Sequence, residues 1–184
     1  MNEILTSALD YLVNYKFSVV PVRPDKGGTY IQWKEFQGRR AIEDEVRDWF
    51  IKWPEAMIGI VTGPVSDLMA IDIDLYKLKD NEQAKIYELI PKTIEGPISI
   101  SPEGGHHRLF RYPDNGTVVK TATGILPGLD IKALKGIVTM PPSINQDGNP
   151  HRWMGNNSLK DKALMLLDPI IINKILLLIN ETGR

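Results

Sequence analysis

Met69-Ala70-Ile71-Asp72-Ile73-Asp74-Leu75 reads as a strand that carries two acids on one face. Side chains of a strand alternate faces with a period of two. Ile71, Ile73 and Leu75 therefore point into a core, while Ala70, Asp72 and Asp74 point the other way. Two carboxylates side by side on an apolar strand repel each other, and a hard divalent ion, magnesium or manganese, is the natural offset. The plainer alternative is a solvated strand end that happens to carry two acids.

The composition limits what surrounds this strand. The chain has 184 residues and a formal net charge of −1, enough for one compact domain or two small lobes but not for a general coat on DNA. Cysteine is absent, which excludes disulfides, cysteine-ligated zinc and iron–sulfur clusters. The start, Met1-Asn2-Glu3-Ile4-Leu5, has no basic segment and no long apolar run, so no signal peptide is expected. The apolar stretch 170–179 is interrupted by Asn173 and Lys174 and is too short to span a bilayer. A cytoplasmic protein without a membrane partner is the expectation. Two segments are locally basic: Arg23, Lys26, Lys34, Arg39 and Arg40, then Arg108, Arg111, Lys120, Lys132 and Lys135. Each is a solvated surface or part of a nucleic-acid track.

Around the acidic strand, periodicity predicts helices over 3–15, 41–53 and 80–89, and a last one from an Asp168 cap with Pro169 at its first position. Strands are expected at 17–22, 57–61 and 68–75, with a loop at 24–38. Pro102-Glu103-Gly104-Gly105 joins strands 97–101 and 106–112 as a hairpin. Strands 129–133 and 136–140 form a second candidate hairpin after a loop through Gly124 and Pro127. Helices and strands mix without strict alternation. The fold class expected is α+β, with a largely antiparallel sheet presenting one working face.

Three further groups bear on Asp72 and Asp74. Gly128-Leu129-Asp130-Ile131-Lys132 repeats the alternation, so Asp130 and Lys132 share a face. A third carboxylate on a neighbouring strand would complete an oxygen cage for two metals, with Lys132 free for a phosphate. The alternative is a surface salt bridge between them. In Ser101-Pro102-Glu103-Gly104-Gly105-His106-His107-Arg108 the glycines allow close backbone approach and offer amides to phosphates, with His107 and Arg108 adding donors. An ordinary glycine hairpin is the other reading. Met140-Pro141-Pro142-Ser143 gives a strand a rigid exit, and Trp153 packs beneath the cleft as core rather than stacking on a ligand.

In order, these residues resemble the bifunctional primase–polymerase domain of the archaeo-eukaryotic primase superfamily, found in plasmid, phage and mobile-element replication proteins. Asp72 and Asp74 match its acidic pair on a strand; Ser101, Gly104, Gly105 and His107 match its glycine–histidine motif; Asp130, Lys132 and Pro141-Pro142-Ser143 match its third motif. Val20-Pro21, Lys26, Trp33, Trp49 and Ile58-Gly59-Ile60-Val61-Thr62-Gly63 resemble its leading segment, and the likeness covers about residues 5–155. Spacing from the glycines selects His107 over His106.

The resemblance implies an RRM-like antiparallel palm beside a smaller N-terminal α/β lobe, with the active site in the cleft between them. The lobe would occupy about 1–66, the palm 67–155 and a C-terminal helical segment 156–184 of one catalytic domain. It implies two magnesium or manganese ions on Asp72, Asp74 and Asp130, and an incoming nucleotide held by Ser101, Gly105, His107, Arg108 and Lys132. The reaction would be template-dependent nucleotidyl transfer on DNA. Partners would be a single-stranded DNA template, a primer strand, NTP or dNTP, and a C-terminal helicase or accessory domain. A metal-dependent nuclease suits the same acids, and a non-catalytic replication-initiator module is the rival from another class.

Overall fold

A computed structural model describes residues 3–182. In chain order the elements are α1 (Glu3–Val13), β1 (Ser18–Val22), α2 (Glu43–Lys52), β2 (Met57–Val61), β3 (Met69–Ile73), α3 (Asp80–Leu89), β4 (Ile98–Ile100), β5 (His106–Phe110), β6 (Ala122–Leu126), β7 (Leu129–Lys132), β8 (Ile137–Met140), β9 (Arg152–Trp153) and α4 (Pro169–Thr182). Short 3-10 turns lie at Lys34–Gln37 and Leu75–Lys77. The fold is α+β, as expected, with two antiparallel sheets. Among the described residues no helix is long and apolar enough to cross a membrane.

The three-stranded sheet runs β1-β2-β8, and the six-stranded sheet runs β6-β7-β3-β5-β4-β9. Two cores follow from this. α1 buries Leu5, Ala8, Tyr11 and Leu12, and α2 buries Val46 and Phe50, around β1, β2 and β8. α3 and α4 bury Ile86, Leu89, Ile172 and Ile175 against the other core, which holds Met69, Ile71 and Ile73 of β3. The opposite face of β3 joins the first core through Ala70, and β5 does so through Leu109. The six-stranded sheet is therefore covered on both faces, and Asp72 is the one residue of β3 that is not fully buried. Burial of one apolar set per face is what holds the register, because a one-residue slip would send Asp72 into the α3/α4 core.

The hairpin predicted at 97–112 forms, with Ile98 opposite Arg108 and Ile100 opposite His106. The hairpin predicted for 129–140 does not. β7 already has partners on both edges, β3 on one and β6 on the other. The chain therefore turns at 133–136, where Gly136 N–H donates to the Ala133 carbonyl at 3.1 Å and Thr62 N–H donates to the Gly136 carbonyl at 2.9 Å. β8 then pairs with β2, Ile58 opposite Met140 and Val61 opposite Ile137. Thus the smaller sheet takes its third strand from the stretch assigned to the palm. The strand β6 falls in a segment read as loop.

Pro141-Pro142-Ser143 locks the exit of β8. Tyr11 Oη donates to the Pro141 carbonyl at 2.7 Å, and Ser143 Oγ, fully buried, accepts the Ile58 N–H at 2.7 Å. These contacts tie α1, β2 and the segment leading to β9 into one support. At the other end Asp168 Oδ1 accepts the Ile170 N–H at 2.7 Å, the expected cap of α4.

Candidate active site

Strand register sets Asp130, Asp72, His107 and Ser99 in one transverse row over β7, β3, β5 and β4. Residues opposite each other in an antiparallel pair stand with Cβ atoms about 4.5–5.5 Å apart on the same face. Asp72 therefore has a carboxylate on one side and an imidazole on the other. The face is the one turned toward the three-stranded sheet. A pocket of about 290 Å³ opens there, lined by Asp72, Asp74, His107 and Lys132 from the larger sheet and by Ile137–Thr139 of β8. That volume is near the low end for small-molecule sites.

His107 is buried and held from both sides. Its Nε2 lies 3.5 Å from Asp72 Oδ1, its Nδ1 3.4 Å from Ser99 Oγ, and the Thr139 backbone also bonds the ring. Burial holds its pKa below the ordinary histidine value, against the pull of Asp72. Burial likewise raises Asp72, with Asp74 and Asp130 adding like charge while His107 and Lys132 oppose the rise. An acid raised chiefly by burial, with acidic neighbours adding to the rise, is a group that a cation would relieve. His106 points to the opposite face, as the alternation requires.

Lysines pair with these acids. Lys132 Nζ lies 3.0 Å from Asp130 Oδ2 and 4.0 Å from Asp72 Oδ2, and Lys77 pairs with Asp74. Asp130 Oδ1 accepts the Gly124 N–H at 2.8 Å. Asp74 stands just beyond the end of β3, where the chain enters the Leu75–Lys77 turn. No group of three or more His, Asp or Glu side chains among the described residues stands ready to enclose a metal ion. The donor set nevertheless suits a hard dication in kind: oxygen ligands only, two of them paired across adjacent strands.

The glycine hairpin differs from its expected form. Gly105 N–H donates to Ser101 Oγ at 3.0 Å, and Gly104 N–H donates to the Ser101 carbonyl at 2.9 Å. These amides are satisfied within the turn and are not free for a phosphate. Gly105 matters for space instead, since a Cβ there would lie 2.8 Å from Asp74 Oδ1 and 3.1 Å from Ser101 Oγ. Ser101 itself lines the pocket.

Arg108 is a correction. It follows His107 on β5 and so faces away from the pocket, opposite Ile71. Its guanidinium donates to the carbonyls of Ile90, Pro91 and Ile94 at the end of α3. A cation at a helix C-terminus satisfies orphan carbonyls and meets the favourable end of the dipole. Arg108 is thus an anchor of α3, not a phosphate ligand. Other basic residues are paired at the surface: Arg23 with Asp25, Arg39 with Glu35 and Glu45, and Arg111 with Asp67 and Asp114. Trp153 packs half-buried on the first core, as expected.

Among the residues of the pocket wall that sequence reading missed is His151, whose backbone N–H donates to the Ser143 carbonyl at 2.7 Å. Its ring centroid lies 5.9 Å from that of His107. Nothing periodic in Gly148-Asn149-Pro150-His151-Arg152-Trp153 marks it. Lys26 and Glu103, from the 24–28 loop and the β4–β5 turn, meet at 2.7 Å on the same side of the pocket. A comparison with curated proteins finds no match. The family model of the bifunctional DNA primase/polymerase N-terminal domain matches residues 8–166, and the chain belongs to that family.

Proposed function

We propose that this chain is a template-directed DNA primase/polymerase that starts primers de novo and extends them by a two-metal mechanism. Membership in the family implies nucleotidyl transfer on DNA in general. The observation that carries the finer reading is the row Asp130–Asp72–His107, in register on three adjacent strands and turned toward one pocket.

Asp72, Asp74 and Asp130 would hold two magnesium or manganese ions. When bound, the ions supply a lowered pKa for the attacking 3′-hydroxyl and offset charge on the triphosphate and the departing pyrophosphate. In the step itself the 3′-oxygen forms a bond to the α-phosphorus, the bond to the β-phosphate oxygen breaks, and the hydroxyl proton is lost. The chain's own part is placement. Lys132, released from Asp130, stays close enough to put positive charge beside the triphosphate. His107, braced by Ser99 and Asp72, offers a donor to the phosphates, and a bound anion favours its charged form. Ser101 keeps its hydroxyl proton for the same ligand, since its oxygen only accepts from Gly105.

On this reading the six-stranded sheet is an RRM-like palm, and the pocket is the cleft between it and the smaller lobe. The three segments 1–66, 67–155 and 156–184 keep their assigned roles, except that β8 serves the smaller sheet. Single-stranded DNA, a primer strand and NTP or dNTP are the partners in a cytoplasmic setting, together with a helicase or accessory domain.

The test incubates the protein with single-stranded template, labelled nucleotides and magnesium or manganese, with and without primer, beside Asp72→Asn and Asp130→Asn. Primer-independent chains that vanish in both variants, with unchanged circular dichroism, are expected. Full activity in either variant refutes the metal assignment. DNA shortened without added nucleotides points to the nuclease, and no reaction under any condition to the non-catalytic module.

A further inference from the structure

Among the buried side-chain nitrogens and oxygens of the described residues, His151 Nδ1 is the one without a hydrogen-bond partner. The residue is 7% exposed. A neutral imidazole carries one donor and one acceptor, and a buried polar atom without a partner costs stability that a purely structural residue would not be kept to spend. The residue is also held firmly. Its backbone bonds Ser143, which in turn bonds β2, and its ring forms part of the wall beside His107.

Its surroundings indicate the ligand. The acids that would bind metal lie at one end of the pocket. Beside Asp72 stands His107, then His151 at 5.9 Å between ring centroids, and Lys26 lines the same pocket. Glu103, an acid close enough to act on His151, is already paired with Lys26. An anion lying against both rings could accept a hydrogen bond from each.

We propose that His151, with Lys26, forms the subsite for the terminal phosphate of the incoming nucleoside triphosphate, beyond the part of the chain held by His107. This rests on the reading of the pocket as a nucleotide site. The reacting α-phosphate sits at the acids, so the later phosphates extend past His107 toward His151. Lys26, whose side chain is 75% exposed, exchanges Glu103 for the phosphate. The subsite makes the pocket count phosphates, favouring triphosphate over diphosphate.

The experiment titrates ATP, ADP and AMP into the protein with calcium, which binds without supporting turnover, and repeats this with His151→Leu and His151→Gln. Leucine should weaken ATP by roughly tenfold or more, as expected for a lost bond to a charged group, and leave AMP unchanged. Glutamine, which keeps an N–H donor, should recover most of the loss. The leucine variant, free of an unpartnered nitrogen, should melt no lower than the parent. Equal weakening of all three nucleotides overturns the proposal. Because a variant can fail to fold, the parent protein is also read directly. The chain has 3 histidines, so nitrogen-15 histidine labelling resolves each ring. ATP should shift the His151 nitrogens and AMP should not; the same shift with both overturns the phosphate assignment. If the parent binds none of the nucleotides, the nucleotide reading falls too. If it binds ATP and His151→Leu binds it equally, only the subsite falls.

Discussion

Replacing Arg108 by methionine should destabilise the protein and spare its chemistry. The guanidinium serves three carbonyls, of Ile90, Pro91 and Ile94, and has no carboxylate partner among the described residues. Burial lowers its pKa, the sign of a cation that is tolerated rather than welcomed. Methionine keeps most of the apolar stem, so the loss is the three bonds. The Pro91 and Ile94 contacts are only partly buried, and water can replace them at small cost. The Ile90 carbonyl, on a residue with 0% exposure, is left worse off. One buried acceptor at about 1–3 kcal/mol, plus a smaller sum for the other two, gives a loss of about 2–4 kcal/mol. Urea denaturation followed by circular dichroism reads this as a lower midpoint with an unchanged slope. Nucleotide incorporation per folded molecule, measured well below the midpoint, should match the parent. Unchanged stability combined with weakened nucleotide binding would show that the guanidinium faces the pocket and that the face assignment is wrong.

Other outcomes follow from the same geometry. Gly105→Ala should raise the manganese concentration needed for half-maximal incorporation several-fold, because the new Cβ presses on Asp74 Oδ1 from 2.8 Å; an unchanged metal titration would mean that Asp74 carries no metal. Ser143→Ala orphans the buried Ile58 N–H and should cost about 1–3 kcal/mol in urea unfolding, with a loss under 0.5 kcal/mol counting against the bond. The free protein should lose stability as pH falls from about 6.5 toward 4. His151 is depressed to about 4, chiefly by burial, so between its unfolded and folded values the unfolded chain takes the proton and stability falls with pH. The full contribution is roughly 3 kcal/mol, and His151→Leu should flatten that part of the curve; an identical pH profile in the variant refutes the shift.

Period-two alternation made the central strand legible, because Asp72 interrupts an otherwise buried run. The same rule, applied one strand later, separates His107 from Arg108: consecutive residues of a strand cannot both face one pocket. Arg108 is thus readable by alternation, whereas the resemblance sets it beside His107 at the phosphates. Pro102-Glu103-Gly104-Gly105 identified its hairpin through turn chemistry alone. The turn at 133–136 looked equally local but was not, since which edge β8 pairs with depends on β7 having none free. β6 stayed hidden because it is an edge strand with exposed Thr123 and Gly124 between less exposed neighbours. His151 has no local signal, for its place is set by bonds to Ser143 and by the pairing of β9 with β4.

The pairing of β8 with β2 has a consequence for synthesis. The Ile58 N–H meets Ser143 across 85 positions of chain, and Tyr11 meets Pro141 across 130. At about 5–20 residues per second, a ribosome needs roughly 4–17 s to span those 85 positions. Through that interval β2, a run of Met57-Ile58-Gly59-Ile60-Val61, has β1 on one edge and nothing on the other. An open apolar edge of this kind invites pairing with another nascent chain. Expression yield should therefore depend on translation speed between codons 61 and 137 more than on the equilibrium stability of the finished protein.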